Sequence, residues 1–303
     1  MNPASARYLK GAVYGFAAAA IWASWSAMTR FAVITSFDPW DVALLRYGLA
    51  GVLLVPVLAR RGLARDRLGW LGLAALVAGA GAPYAFVAAG ALRLAPAAEL
   101  SALNPGCIPL FVAAIAFVFA RETVSAAQKS GLALIATCAA LLIVSHADGG
   151  EAWSTSRSFG AMLSLLAALM WAVFTVIMRR SDLDPLHAAA IVSVGSLAIY
   201  LPFYLALRGT ALAHATSVEL AVQAIFQGLV VTIVSLVLYG RAVALLGASG
   251  GAAFGALVPA LAALIAIPLL GEWPSAADWL AIVLISAGVY LASGGPITFG
   301  RMS

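Results

Sequence analysis

Charge and cysteine are what this 303-residue chain has least of. Asp, Glu, Lys and Arg together make up 10% of it, histidine occurs three times, and Cys107 and Cys138 are the only cysteines. Both cysteines fall inside apolar runs with no His or Cys at ligand spacing, which excludes a disulfide framework and a zinc site. The sequence holds no P-loop, dinucleotide-binding glycine fingerprint or HExxH, so neither a metal nor a cofactor is expected. One enzyme-like pattern, G-x-S-x-G at Gly247 to Gly251, has no histidine downstream, the last being His214. A nucleophile elbow needs that partner as well as a strand before it, and the chain is read as not an enzyme. Its 17 Lys and Arg outnumber its 12 Asp and Glu, but they form short clusters between apolar runs and no basic stripe, which excludes nucleic acid as a partner.

What is abundant is hydrophobic: 64% of residues, with a mean hydropathy of +1.03. A spanning helix needs about 20 mostly apolar residues. Breaks at charges, Pro and Gly leave ten such runs, at 11–33, 40–59, 69–92, 96–120, 126–145, 159–178, 186–207, 219–240, 248–270 and 277–294. The expectation is an all-α integral membrane protein of ten transmembrane helices, its first run retained as a span and not cleaved as a signal. Alternating the connectors between two faces puts twelve Lys and Arg on one face and Arg30, Arg93, Arg157 and Arg208 on the other, with Arg46 inside the second span. The positive-inside rule then makes both termini cytoplasmic in a bacterial-type inner (plasma) membrane.

The chain also answers itself. "AAAAIWASWSAMTR" from Ala17 returns as "AALMWAVFTVIMRR" from Ala167, pairing Trp22 with Trp171, Ser26 with Thr175 and Arg30 with Arg179. "PLFVAAIAFVFARETVSAAQ" from Pro109 returns as "PALAALIAIPLLGEWPSAAD" from Pro259, pairing Glu122 with Glu272. Residues 11–145 and 158–294 are thus two copies of a five-helix unit. Five is odd, so the second copy enters the membrane upside down, and inverted repeats of secondary transporters enclose a central cavity near the midplane.

The Trp-bearing first helix of each copy, "LRY" at Leu45 to Tyr47, and the in-span proline followed by an acidic residue ("RETVS", "GEWPS") resemble the drug/metabolite transporter (DMT) superfamily, specifically its EamA-type members. "AELSALNPGCIPLF" is most similar to the YddG-like amino-acid exporters. The resemblance implies a secondary transporter that exports amino acids or similar small metabolites by alternating access, working as a monomer in the bilayer. A drug carrier, a nucleotide-sugar or phosphate-ester carrier and a non-transporting scaffold or lipid-handling subunit remain as alternatives; a phosphate-ester carrier would need several cations at cavity depth, where only Arg46 qualifies.

Candidate substrate-binding residues follow from polarity inside spans. Trp22, Trp25, Ser26 and Thr29 share one face of the first helix. Trp22 lies about 16 Å deep at 1.5 Å per residue, where its indole N–H needs an acceptor; Trp171 is its counterpart. Arg46 and Glu99 are ionisable within spans, a functional signal by default. Arg46 either snorkels or lines a cavity mouth; Glu99 either pairs with Arg46 or Arg93 or greets an ammonium group. Tyr47, Tyr84, Asn104, Gln227 and Tyr239 are either glue between helices or ligands for the substrate. His187, just after "DLDP", is either a cap or interfacial residue or a proton relay. Pro83, Pro109 and Pro259 are candidate hinges.

Overall fold

The computed structural model describes residues 3–120, 125–145, 155–209 and 211–293. Glu122, one half of a repeat pair, lies outside the described residues. Helices dominate: α1 (Pro3–Thr35), α2 (Pro39–Arg61), α3 (Arg65–Ala80), α4 (Ala82–Leu94), α5 (Ala97–Ala120), α6 (Ala126–Ser145), α7 (Thr155–Ser181), α8 (Pro185–Arg208), α9 (Ser217–Ala224), α10 (Ser235–Ala253), α11 (Val258–Leu270) and α12 (Ala276–Ala292). A π-helical stretch, Ile225–Val234, joins α9 to α10, and a 3-10 turn, Phe254–Leu257, leads into α11.

Among the described residues, eight helical stretches are long and apolar enough to cross a bilayer, and the shorter apolar helices Phe254–Leu270 and Ala276–Ala292 complete a ten-span bundle. Twelve helices make ten spans because two spans are interrupted. The third comprises α3 and α4, broken at Gly81 (φ −93°, ψ −153°). The eighth runs from Ser217 through the π-helical stretch to Gly247, whose φ of +83° turns the chain into the ninth. Gly247 to Gly251 is therefore a turn between spans.

Polar residues start the helices where the sequence supplies them. Asp184 caps α8 by accepting from the backbone N–H of Leu186 and His187, with Pro185 in the first turn. Ser275 and Asp278 at α12, and Thr216 and Glu219 at α9, form reciprocal capping boxes. At α2 the Asp41 carboxylate accepts the Asp38 backbone N–H at 2.8 Å.

Helices of the first half pack mainly on helices of the second: α2 on α8, α1 on α10 and α11, α5 and α4 on α7, α6 on α12. Small residues permit this closeness. A Cβ on Gly131 of α6 would lie 2.6 Å from the Gly288 carbonyl of α12, so there the two backbones touch with no side chain between them. Buried clusters follow the same plan, one joining Leu103, Cys107, Ile135 and Cys138 to Ile282 and Ile285.

Candidate functional site

One end of the bundle, named here for Asp38, is tied by charge. Asp38 binds Arg93 of α4 at 2.6 Å and also Arg208 of α8. Arg30 at the end of α1 binds Glu272 at 2.7 Å and donates to the Leu92 carbonyl at 2.6 Å, while Glu272 also accepts the Ala97 N–H at 3.0 Å. Asp41, buried behind Asp38, accepts the Tyr204 hydroxyl at 2.5 Å. The sequence reading missed Asp41, which stands at a helix start among interfacial charges; its burial depends on α8.

Glu99 is at this end too, and its partner corrects the expectation. It accepts Arg157 Nε at 2.9 Å, not Arg46 or Arg93, with its side chain 5% exposed. Arg157 stands in the first turns of α7, which packs along α5, so the second half of the chain supplies the cation. One Glu99 oxygen is thus engaged by the Arg157 charge.

Deeper in the bundle, most of the remaining candidates meet. Trp25 of α1 stacks on Tyr84 of α4 with ring centroids 6.3 Å apart; Tyr84 meets Trp171 of α7 at 5.0 Å, and Trp171 meets Phe174 at 5.3 Å. Asn104 of α5 donates to the Tyr84 hydroxyl at 3.2 Å. The Arg46 guanidinium lies 5.4 Å from the ring centroids of both Trp25 and Tyr47. Gln227 donates to Thr29 at 2.9 Å and neighbours Arg46 through Thr232.

Tyr47 shows how the helix break serves this cluster. Its hydroxyl donates to the Ala80 carbonyl, the last of α3, beside the Gly81 break. Ser196 of α8 accepts the Ala82 N–H at 3.0 Å on the other side. Gly81 is required here because a Cβ would come within 2.2 Å of both Ser196 Oγ and the Val77 carbonyl oxygen.

Trp22 and Tyr239 form a separate pair. Their centroids are 5.2 Å apart, and Trp22 Nε1 donates to Ser235 at 3.0 Å, so the indole finds its acceptor on α10. Of the proline candidates, Pro83 follows the Gly81 break, Pro109 lies inside the uninterrupted α5, and Pro259 sits in the first turn of α11 after the 3-10 turn. The two repeat-related prolines thus occupy different local structures. His187 meets the Gly62 carbonyl through Nε2 at 2.8 Å, bracing α8 against the end of α2. It lines a cleft of about 420 Å³ with Arg61, Arg67, Asp66, Asp182 and Asp184, at the opposite end from Asp38 and apart from the aromatic cluster.

The electrostatics of the cluster are unbalanced. Arg46 is 6% exposed and has no carboxylate in contact among the described residues. Burying an ion costs several kcal/mol, whereas a cation–π contact returns about 0.5–2 kcal/mol. Two rings leave the charge under-compensated. In the cluster, Trp25 Nε1, Asn104 Oδ1 and Gln227 Oε1 are buried without a hydrogen-bond partner among the described residues, each an unmade bond worth about 1–3 kcal/mol.

A ten-span helical bundle with polar and aromatic groups gathered inside it defines a multi-pass membrane protein. The comparisons agree. The model of the EamA-like transporter family matches residues 9–144 and again 158–294, and the chain belongs to that family, within the DMT superfamily. Fourteen chains of solved structures match. One of them, described as "Crystal structure of protein", superposes with a TM-score of 0.61 at 22% identity, covering 93% of this chain and 95% of its own, a likeness of fold alone. No curated protein matches.

Proposed function

We propose that the protein is a YddG-like secondary transporter that exports amino acids or closely similar metabolites by alternating access, as a monomer in a bacterial-type inner membrane with both termini cytoplasmic. The carrying observation is the set of unmade bonds around the aromatic cluster. Arg46 and Trp25 Nε1 offer a cation and a donor without an anion, while Asn104 Oδ1 and Gln227 Oε1 offer acceptors without a donor. An amino-acid zwitterion supplies both missing partners, its carboxylate to the first pair and its ammonium to the second. The rings of Tyr84, Trp171 and Phe174 provide an apolar wall for the side chain. A phosphate-ester carrier is less well supported because Arg46 is the one buried Lys or Arg among the described residues. The two repeats, 11–145 and 158–294, would exchange conformations between inward-open and outward-open states around this site, with Pro83, Pro109 and Pro259 as candidate bending points.

Uptake of radiolabelled L-amino acids into proteoliposomes tests the reading, with wild type, Trp25→Ala and Arg46→Ala compared with and without a pH gradient. Saturable uptake of at least one amino acid, lost in both variants, is expected. Failure to move any of the twenty would sink the cargo assignment; stimulation by the gradient would add proton coupling to it.

A further inference from the structure

The π-helical stretch was not foreseen from the sequence, and it reaches Arg46. Gly228 within it lies so close to α2 that a Cβ would meet the Arg46 carbonyl oxygen at 3.0 Å and Ala50 N at 3.2 Å. This close approach places Thr232 beside the guanidinium. The Thr232 hydroxyl donates its one proton to the Gln227 carbonyl at 2.8 Å, reaching back five residues, the spacing of the wide turn; in an α-helix such a bond reaches back three or four. With its proton spent, the oxygen can only accept, and it accepts Arg46 Nε at 3.3 Å.

A guanidinium has two edges that can take a carboxylate through paired N–H groups: the side edge, which uses Nε, and the end edge, formed by the two Nη atoms. Thr232 occupies the first. The Nη atoms make no hydrogen bond among the described residues and carry the edge left over.

We infer that Thr232 is a positioning residue that presents Arg46 end-on to a planar carboxylate, so that a carboxylate is required of the transported molecule. This rests on the reading of the aromatic cluster as the cargo site and adds the group that selects the cargo. An amine that lacks the carboxylate leaves the Nη edge unmatched, and without the Thr232 hydroxyl the guanidinium is free to turn and the edge is no longer fixed.

The test uses quenching of intrinsic tryptophan fluorescence to measure binding of L-leucine, 3-methylbutylamine (leucine without its carboxylate) and 4-methylpentanoate (leucine without its ammonium) to the full-length protein. Wild type is expected to bind leucine and 4-methylpentanoate at least tenfold more tightly than the amine. Thr232→Val and Thr232→Ala are expected to compress that preference to within about threefold, and Thr232→Ser to keep it; two hydroxyl-free variants guard against one of them misfolding. Equal binding of leucine and amine to wild type, or an unchanged preference in Thr232→Val or Thr232→Ala, overturns the inference while leaving amino-acid transport standing. Binding of 4-methylpentanoate with no transport of leucine or any other amino acid overturns the cargo reading and leaves the inference standing. Absence of binding by all three overturns the inference, and the cargo reading falls with it only if none of the twenty amino acids is transported.

Discussion

Replacing Gly81 with alanine adds a single methyl group, and the structure says where it goes. Its Cβ would stand 2.2 Å from Ser196 Oγ and 2.2 Å from the Val77 carbonyl oxygen, more than an ångström inside ordinary contact at 3.4 Å. Ser196 could rotate, but only by abandoning the Ala82 N–H it accepts; the Val77 oxygen belongs to the backbone of α3 and already accepts the Gly81 N–H at 2.8 Å. Overpacking costs about 1–3 kcal/mol where side chains can adjust, so a collision with fixed backbone belongs at the upper end, near 3 kcal/mol. Converted with the usual dependence of melting temperature on stability, that is a drop of roughly 5–10 °C. Thermal unfolding of the purified protein, followed at one scan rate because membrane proteins unfold irreversibly, measures it. The double variant Gly81→Ala/Ser196→Gly removes one of the two collisions. It should lose less than the sum of the single variants, since Ser196→Gly alone already strands the Ala82 N–H. A Gly81→Ala protein melting within 1 °C of wild type would refute the claim that the break in the third span is dictated at this residue.

Three further outcomes are expected. Glu99→Gln should leave any response of transport to a pH gradient unchanged, because Glu99 is held by Arg157; loss of that response in proteoliposomes would make Glu99 part of proton coupling. A cysteine at Ala97 should react several-fold faster with a membrane-impermeant maleimide in Glu272→Gln than beside native Glu272, because Glu272 ties the Ala97 N–H to Arg30; equal rates would show that the contact does not seal the Asp38 end. Burial pushes the Asp184 carboxyl up, but the hydrogen bond from Arg61, the N–H of His187, the Arg61 charge and the N–H of Leu186 together outweigh it, and the net shift is downward. A lowered carboxyl stabilises the fold above its ordinary range and loses that contribution as pH falls through the lowered value. Acid titration of thermal stability should therefore show a decline below the usual carboxylate range that is shallower in Asp184→Asn; identical profiles would count against it.

The ten spans were legible because each is a long apolar run, and the bilayer permits little else. The boundaries 126–145 and 186–207 fall within a residue of α6 and α8, where a capping residue or a charge marks the edge. The break at Gly81 was not legible, since glycine and proline are common in spanning helices that stay intact; α5 keeps Pro105 and Pro109 in one continuous helix. Nor was the π-helical stretch, because "IFQGLVVTIV" reads as an ordinary spanning segment whose two polar residues, Gln227 and Thr232, do not reveal a wider turn. At the candidate site, polarity within spans picked out Trp25, Arg46, Tyr47, Tyr84, Asn104, Trp171 and Gln227, which the fold brings together. It missed Thr232 and Ser196, whose importance lies in what they accept from distant helices, and it misassigned the partner of Glu99. Pairings across some 58 to 213 residues, such as Glu99 with Arg157 and Trp22 with Ser235, leave no local trace.

The packing of each half on the other has a consequence for how the chain is made. A first helix whose main neighbours are α10 and α11 emerges from the ribosome more than 200 residues ahead of them. Until they arrive, α1 has lipid or chaperone where its partners will be, and the Trp22 indole has no Ser235. Each half therefore takes its main packing partners from the other. Synthesis can insert the first half, but a truncation before α7 should leave a membrane-inserted chain whose helices lack their main packing partners and so are open to proteolysis.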